Sequence, residues 1–158
     1  MIKIIYVILA AGLLAACGRV QGPASSAGPE SPDLPASGQW ILRFTQSGGI
    51  MGMMRTMEIH SDGKATITDE KTNKTVTVQI PQTDLRALQQ AASATKFTAP
   101  SQPSGCADCF VYQVEVLSGS EKTFSAQADD VSLESSGLSA LVENLRNLME
   151  TSLKNAGS

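Results

Sequence analysis

The sequence predicts an α+β domain in which a single antiparallel β-sheet of five or six strands has two helices packed on one face. Between residues 40 and 128, several runs alternate apolar and polar side chains with the period of two that is typical of strands. Short turn sequences separate most of these runs, which favours antiparallel pairing of neighbours. Two other stretches, residues 84–94 and 138–149, space their apolar residues as an amphipathic helix does.

The first four strands are predicted to form a meander. In the first run, Trp40, Leu42 and Phe44 alternate with less apolar positions and define one apolar face. Three further runs follow across turn sequences rich in Asp, Gly, Lys and Asn, at residues 53–60, 65–68 and 75–80. Threonine and charged residues occupy the alternate positions, so the other face of the sheet is expected to be largely exposed to solvent.

A helix is predicted after Pro81, because proline cannot donate a ladder hydrogen bond and the preceding strand should stop there. Thr83 is its candidate N-cap, and the helix should end near Thr95. Residues 96–109 form a loop, and two further strands are expected after it, at residues 110–117 and 122–128. Ser135 or Ser136 can cap the last helix, whose apolar stripe is Leu138, Leu141, Val142, Leu145, Leu148 and Met149.

The N-terminus has the pattern of an export signal. A lysine at position 3 precedes an apolar run, residues 4–16, that is too short for a comfortable membrane span. Leu14-Ala15-Ala16-Cys17 resembles the lipobox of bacterial lipoproteins, which implies removal of residues 1–16 and a diacylglycerol on the Cys17 thiol. Lipoproteins that are retained at the inner membrane usually have aspartate directly after the lipidated cysteine, and this chain has Gly18 there. The resemblance therefore implies an outer-membrane location if the host has two membranes. The alternative is an ordinary secretory signal with an incidental cysteine.

Composition divides the rest of the chain. Residues 17–38 are rich in proline, glycine, serine and alanine and are predicted to be a flexible tether behind the lipidated cysteine. The folded domain is expected at residues 39–154, followed by a frayed tail at 155–158. The chain of 158 residues has a net charge of −3 and no basic cluster, which argues against nucleic acid as a partner.

Cys106-Ala107-Asp108-Cys109 has three interpretations. A redox CxxC motif has its first thiol at a helix N-terminus, where the helix dipole lowers the pKa of the thiol, whereas a strand is predicted after this motif. A zinc site needs about four ligands, and the chain has one histidine and no second cysteine pair once Cys17 is lipidated. The sequence therefore favours a structural disulfide formed in an oxidising compartment, which fixes the shape of a short loop.

Other residues that could take part in catalysis or ion binding are isolated in the sequence. His60 lies beside a turn with no nucleophile motif around it, which favours a solvated turn neighbour over a catalyst. Asp129-Asp130 lacks the alternating acidic spacing of a calcium loop, so a solvated turn is favoured over an ion site. The sequence predicts a protein that is not an enzyme, with no catalytic residues, no metal and no cofactor.

Residues 47–54 are the candidate contact loop. Three glycines alternate with Ile50, Met51, Met53 and Met54. One interpretation is a glycine-containing turn or bulge whose methionines pack into the core. The other is a docking loop, because glycine lets a backbone approach a partner closely and methionine adapts to irregular pockets.

Phe44-Thr45-Gln46-Ser47-Gly48-Gly49-Ile50-Met51-Gly52 resembles the SGG-x-x-G segment near the start of emfourin-like domains. The order of the helix, the Lys96-Phe97 step, the aromatic strand, the hairpin and the leucine-rich last helix is also similar, over residues 40–153. Emfourin inhibits thermolysin-like zinc metallopeptidases, so the resemblance implies a proteinaceous inhibitor. The matching contact positions are Ser47, Gly48, Gly49, Ile50, Met51 and Gly52.

Two functions are therefore expected as alternatives. The first is a membrane-anchored inhibitor or binder of secreted or envelope metallopeptidases, held at the lipid bilayer by acylated Cys17. The second is a non-enzymatic envelope lipoprotein that assembles with another envelope protein through its exposed sheet face. The family pattern requires neither the anchor nor the Cys106–Cys109 loop.

Overall fold

All six strands belong to one antiparallel sheet with the order β4-β3-β2-β1-β5-β6. The computed structural model describes residues 31–100 and 104–156. The strands are β1 Ile41–Gly48, β2 Met53–His60, β3 Lys64–Asp69, β4 Lys74–Gln79, β5 Phe110–Ser118 and β6 Glu121–Asp129; the helices are α1 Gln82–Ala94 and α2 Ser139–Asn155. The predicted α+β fold is confirmed, and every predicted strand and helix forms.

The strand registers align apolar side chains in rows across the face that packs against the helices. Phe44 lies opposite Met57 on one neighbouring strand and Val114 on the other. Buried leucines of both helices join the same cluster, among them Leu85, Leu88, Leu141 and Leu145. Burial of each such side chain contributes roughly 1.5–3 kcal/mol, so this shared core holds the helices on the sheet.

The opposite face carries an ion-pair row. Arg43 on β1 lies 2.7 Å from the Glu58 carboxylate on β2 and 3.4 Å from the Glu115 carboxylate on β5. Lys122 on β6 also binds Glu115. Burial acts to raise the pKa of Glu115, but the hydrogen bond and charge of Lys122, with Arg43, bring it below its ordinary value. These pairs tie together four adjacent strands on the side without helices.

Both predicted helix caps were wrong. Helix α1 begins at Gln82, because Pro81 takes the cap position and its carbonyl accepts the N–H groups of Asp84 and Leu85. Thr83 is then inside the helix, where its hydroxyl turns to the Asp84 carboxylate. Helix α2 begins at Ser139, since the preceding serines bond to local turn groups instead of capping it: Ser135 to Ser132 and Ser136 to Leu133 and Leu138.

The fold also begins earlier than predicted. Pro32 and Leu34, in the last part of the expected tether, are buried. The carbonyl of Pro35 accepts hydrogen bonds from the Trp40 indole at 3.0 Å and from the Gln89 side chain of α1 at 3.3 Å. The packed part of the chain therefore begins before the predicted boundary at residue 39, because Pro35 bonds both to α1 and to Trp40, the residue before β1. Cys17, the predicted signal at residues 1–16 and the rest of the predicted tether to residue 30 lie outside the described residues, as do residues 157–158.

Candidate functional site

The predicted contact loop is the hairpin that joins β1 to β2. Gly48, Gly49 and Gly52 have φ angles of 96°, 69° and 57°, in the left-handed region that favours glycine. The Gly52 N–H donates to the Gly49 carbonyl at 2.9 Å and closes a tight turn. Ile50 and Met51 occupy the corner of this turn and are 84% and 70% exposed. The glycines thus shape a turn whose two apolar side chains point away from the core.

Hydrogen bonds from neighbouring loops hold this hairpin in place. The Lys71 ammonium, in the turn between β3 and β4, donates to the Met51 carbonyl at 2.9 Å. The Gly49 N–H donates to the Cys109 carbonyl at 3.1 Å, and the Glu70 N–H donates to the Met54 carbonyl at 3.0 Å. The backbone of the hairpin is therefore supported by the loops on either side of it, next to β3 and to β5.

The cysteine loop packs directly on the hairpin. Cys106 and Cys109 lie at disulfide-bonding distance, with 5.6 Å between their Cα atoms, as the sequence predicted. A Cβ atom on Gly48 would overlap the Cys109 carbonyl oxygen, and one on Gly49 would lie 2.7 Å from the Phe110 ring. The structure thus brings the predicted disulfide and the predicted contact loop together, and the backbone of Cys109 leaves no room for a side chain at Gly48.

Asp129 and Asp130 hold the other side of the cysteine loop. Asp130 accepts the Phe110 N–H and the Tyr112 hydroxyl, both at 2.8 Å. Burial and this hydrogen bond raise the pKa of Tyr112 to about 12. Hydrogen bonds from Ser104 and Ser132 lower the pKa of Asp129 to about 2. Asp129 and Asp130 therefore hold the loop before β5 and the first residues of β5 by hydrogen bonds, a role that the sequence did not indicate.

A second brace lies beneath the hairpin on the helix side. The Arg55 guanidinium of β2 donates to the Asp69 carboxylate of β3 at 2.8 Å. The other oxygen of Asp69 accepts the Thr72 N–H at 3.1 Å and so fixes the turn that carries Lys71. The Arg55 hydrogen bond lowers the pKa of Asp69 against the raising effect of burial.

We expect Arg55→Met to reduce the free energy of unfolding by about 2 kcal/mol at neutral pH, because Asp69 is left charged, largely buried and without its cation. The pKa of Asp69 is lowered in the folded protein, so its contribution is present above the unfolded pKa and is lost as the pH falls through the folded pKa. The difference between wild type and variant should therefore shrink below about pH 4. Urea titrations from neutral to acid pH measure it.

Arg86→Met is the matched control, because the Arg86 guanidinium lies on the exposed face of α1 and contacts a backbone carbonyl of its own helix. It should change stability little at any pH. A constant difference between Arg55→Met and wild type across the pH range would contradict the assignment to Asp69.

Large exposed apolar side chains gather at this end of the sheet. Within residues 31–100 and 104–156 they are Ile50, Met51, Met54 at 42% exposure and Val131 at 65%. The strand registers place Met54 level with Ser47, Val111 and Asp129, and Val131 follows that aspartate. Ile50, Met51 and Met54 belong to one hairpin, whereas β1, β5 and β6 separate Val131 from Met54. Neighbouring exposed apolar side chains mark interaction surfaces more often than isolated ones do.

His60 lies at the opposite end of β2, where it lines a shallow cleft of about 250 Å³ with Trp40 and Asp62. Over the part of the chain that the structure describes, no group of three or more His, Cys, Asp or Glu side chains is placed to hold a metal ion. No helix in that part is long and apolar enough to cross a membrane.

The geometry is therefore that of a projecting hairpin with exposed apolar side chains. Every residue of the predicted loop lies in it: Ser47 and Gly48 end β1, and residues 49–52 form the turn. The supporting roles of Lys71 and Asp130 were missed, since a lone lysine in a turn gives no sequence signal and paired aspartates suit any solvated turn. No protein-family model matches this chain, and a search of curated proteins found no significant match.

Proposed function

We propose that this protein is an extracytoplasmic, lipid-anchored binding protein that docks on another protein through the hairpin at residues 47–54. One observation supports the proposal most strongly: the most exposed apolar side chains belong to a hairpin whose backbone is held in place by hydrogen bonds from neighbouring loops. Ile50 and Met51 are the most exposed large apolar residues of the described chain. Contacts from Lys71 and Cys109 hold the backbone that bears them. A preformed loop loses little entropy on binding, which increases its affinity.

The partner class that we propose is a thermolysin-like zinc metallopeptidase. The support is the resemblance of residues 44–52 to the corresponding segment of emfourin-like domains, together with the shape of the hairpin. Residues 49–52 form a closed turn rather than an extended strand. Such a tip blocks an enzyme cleft with apolar side chains without offering a substrate-like backbone.

The proposed location follows from the N-terminal signal. A diacylglycerol and a further acyl chain on Cys17 would anchor the protein stably, since a single chain binds membranes only marginally. Residues 18–30 then separate the anchor from the first packed residues. The target is expected at the cell envelope or among secreted proteins, at the outer membrane where two membranes exist.

Ile50→Asp is expected to weaken binding to a susceptible peptidase by at least about thirtyfold, because a charge would be buried in an apolar contact. The measurement is inhibition of a panel of thermolysin-like peptidases by the mature domain at micromolar concentration, with direct binding by calorimetry. Thermal unfolding should be unchanged, since Ile50 is 84% exposed.

Val131→Asp is the control, because Val131 is exposed at the same end of the sheet but lies outside the hairpin. It should inhibit nearly as wild type does. If wild-type protein leaves the whole panel fully active and binds none of it, the metallopeptidase assignment is wrong. Equal binding by Ile50→Asp and wild type would move the contact surface elsewhere, first to the sheet face that carries Arg43 and Glu58.

A further inference from the structure

Five methionines lie in the described chain, of which Met53, at the start of β2, is half-buried and the other four fall into two contrasting environments. Met57 and Met149 lie in the core with no exposed surface, whereas Met51 is 70% exposed and Met54 is 42% exposed. Both exposed methionines belong to the hairpin that we propose to dock. Thioether oxidation requires access of the oxidant to sulfur, so the two classes should differ sharply in rate.

We infer that Met51 and Met54 are an oxidation site that controls docking, an inference that rests on the proposed function of the hairpin. A peroxide transfers one oxygen atom to the thioether sulfur. The sulfur gains a polar S=O group, the peroxide O–O bond breaks, and water or an alcohol is released. Each sulfur is oxidised by two electrons, and the peroxide is reduced by two.

The position of Met51 makes its oxidation consequential. Its carbonyl is held by Lys71, and the turn around it is closed by the Gly52 to Gly49 hydrogen bond. The backbone therefore cannot easily withdraw an altered side chain from the contact. The sulfoxide oxygen at this position is a strong hydrogen-bond acceptor. When the apolar contact forms, this oxygen loses its hydrogen bonds to water and finds no donor to replace them.

Oxidation leaves the fold itself intact. The buried sulfurs of Met57 and Met149 are shielded, and the exposed ones contribute nothing to the core. Loss of binding is then separable from unfolding. Because methionine sulfoxide reductases reverse the change, the site can return to its binding state.

The test exposes the mature domain to dilute hydrogen peroxide and maps oxidation by peptide mass spectrometry over time. Met51 and Met54 should oxidise at least about tenfold faster than Met57 and Met149. The oxidised domain should bind a susceptible peptidase at least about tenfold more weakly, with an unchanged unfolding transition. The double variant Met51→Leu/Met54→Leu is compared with its own untreated sample, and its affinity should not change on peroxide treatment.

Each result decides one part of the inference. Equal oxidation of exposed and buried methionines would overturn the site, and unchanged binding after full oxidation of Met51 and Met54 would overturn its control of docking. Loss of binding in the treated double variant would assign the effect to another residue and reject the inference. If untreated protein binds no peptidase, the proposed function fails and the control of docking fails with it, while the mapping still decides whether the oxidation is selective.

Discussion

Gly48→Ala should lower the free energy of unfolding by about 3 kcal/mol and displace the hairpin from the cysteine loop. Two costs combine. The φ angle of Gly48 is 96°, which strains any residue with a Cβ atom. The new methyl group would also overlap the Cys109 carbonyl oxygen, which is backbone and cannot rotate away. Urea denaturation gives the stability, and the inhibition assay gives the effect on docking.

Gly52→Ala separates the two costs. Gly52 also has a positive φ angle, of 57°, but no atom lies within 4 Å of the position that its Cβ would take. This variant should lose about 1 kcal/mol, the strain alone. Equal losses for the two variants would show that the contact with Cys109 does not constrain the hairpin. Preserved docking in Gly48→Ala would show that the hairpin need not be held in this shape.

The sheet was predictable because its residues obey one strong periodicity. Leu42 and Phe44 alternate with polar neighbours, and so do Val76 and Val78, and the structure places each pair on the helix side. Turn sequences such as Asp62-Gly63 fixed the ends of the strands to within a residue or two. The turn has a physical cause in the structure, since Asp62 accepts the Lys64 N–H and Gly63 takes a φ angle of 85°.

The candidate site was predictable only in its parts. The glycines and the cysteine pair each have a local sequence pattern, but their contact depends on the pairing of β1 with β5, which places Gly48 opposite Phe110. No turn joins those strands directly, so their register cannot be read from local sequence. The bond from Lys71 to Met51 depends in the same way on the pairing of β2 with β3.

At the helix N-termini, the residue-type preference for N-caps gave wrong predictions. Thr83 and Ser136 are residue types that favour an N-cap. Proline at position 81 has a fixed φ, and its carbonyl accepts the N–H groups of Asp84 and Leu85, so α1 starts before Thr83 can cap it. Ser136 instead donates to the Leu133 carbonyl within a local turn. Local propensity was overridden by a competing local bond in each case.

Leu34→Ala is expected to destabilise the domain by about 3 kcal/mol, although composition assigned this residue to a flexible tether. Leu34 is 5% exposed and belongs to the core cluster, so its truncation removes apolar contact and leaves a cavity. The small and polar residues around it concealed a single anchoring side chain. Equilibrium unfolding in urea of residues 31–158, wild type and variant, measures the loss.

Asp33→Ala is the matched control, because Asp33 is an exposed neighbour in the same segment. Its removal should change stability by less than about 0.5 kcal/mol. If Leu34→Ala were as stable as this control, residues 31–38 would act as a tether after all. A large loss instead means that residues 31–38 belong to the folded domain and are held beside α1, where the Pro35 carbonyl accepts hydrogen bonds from Gln89 and Trp40.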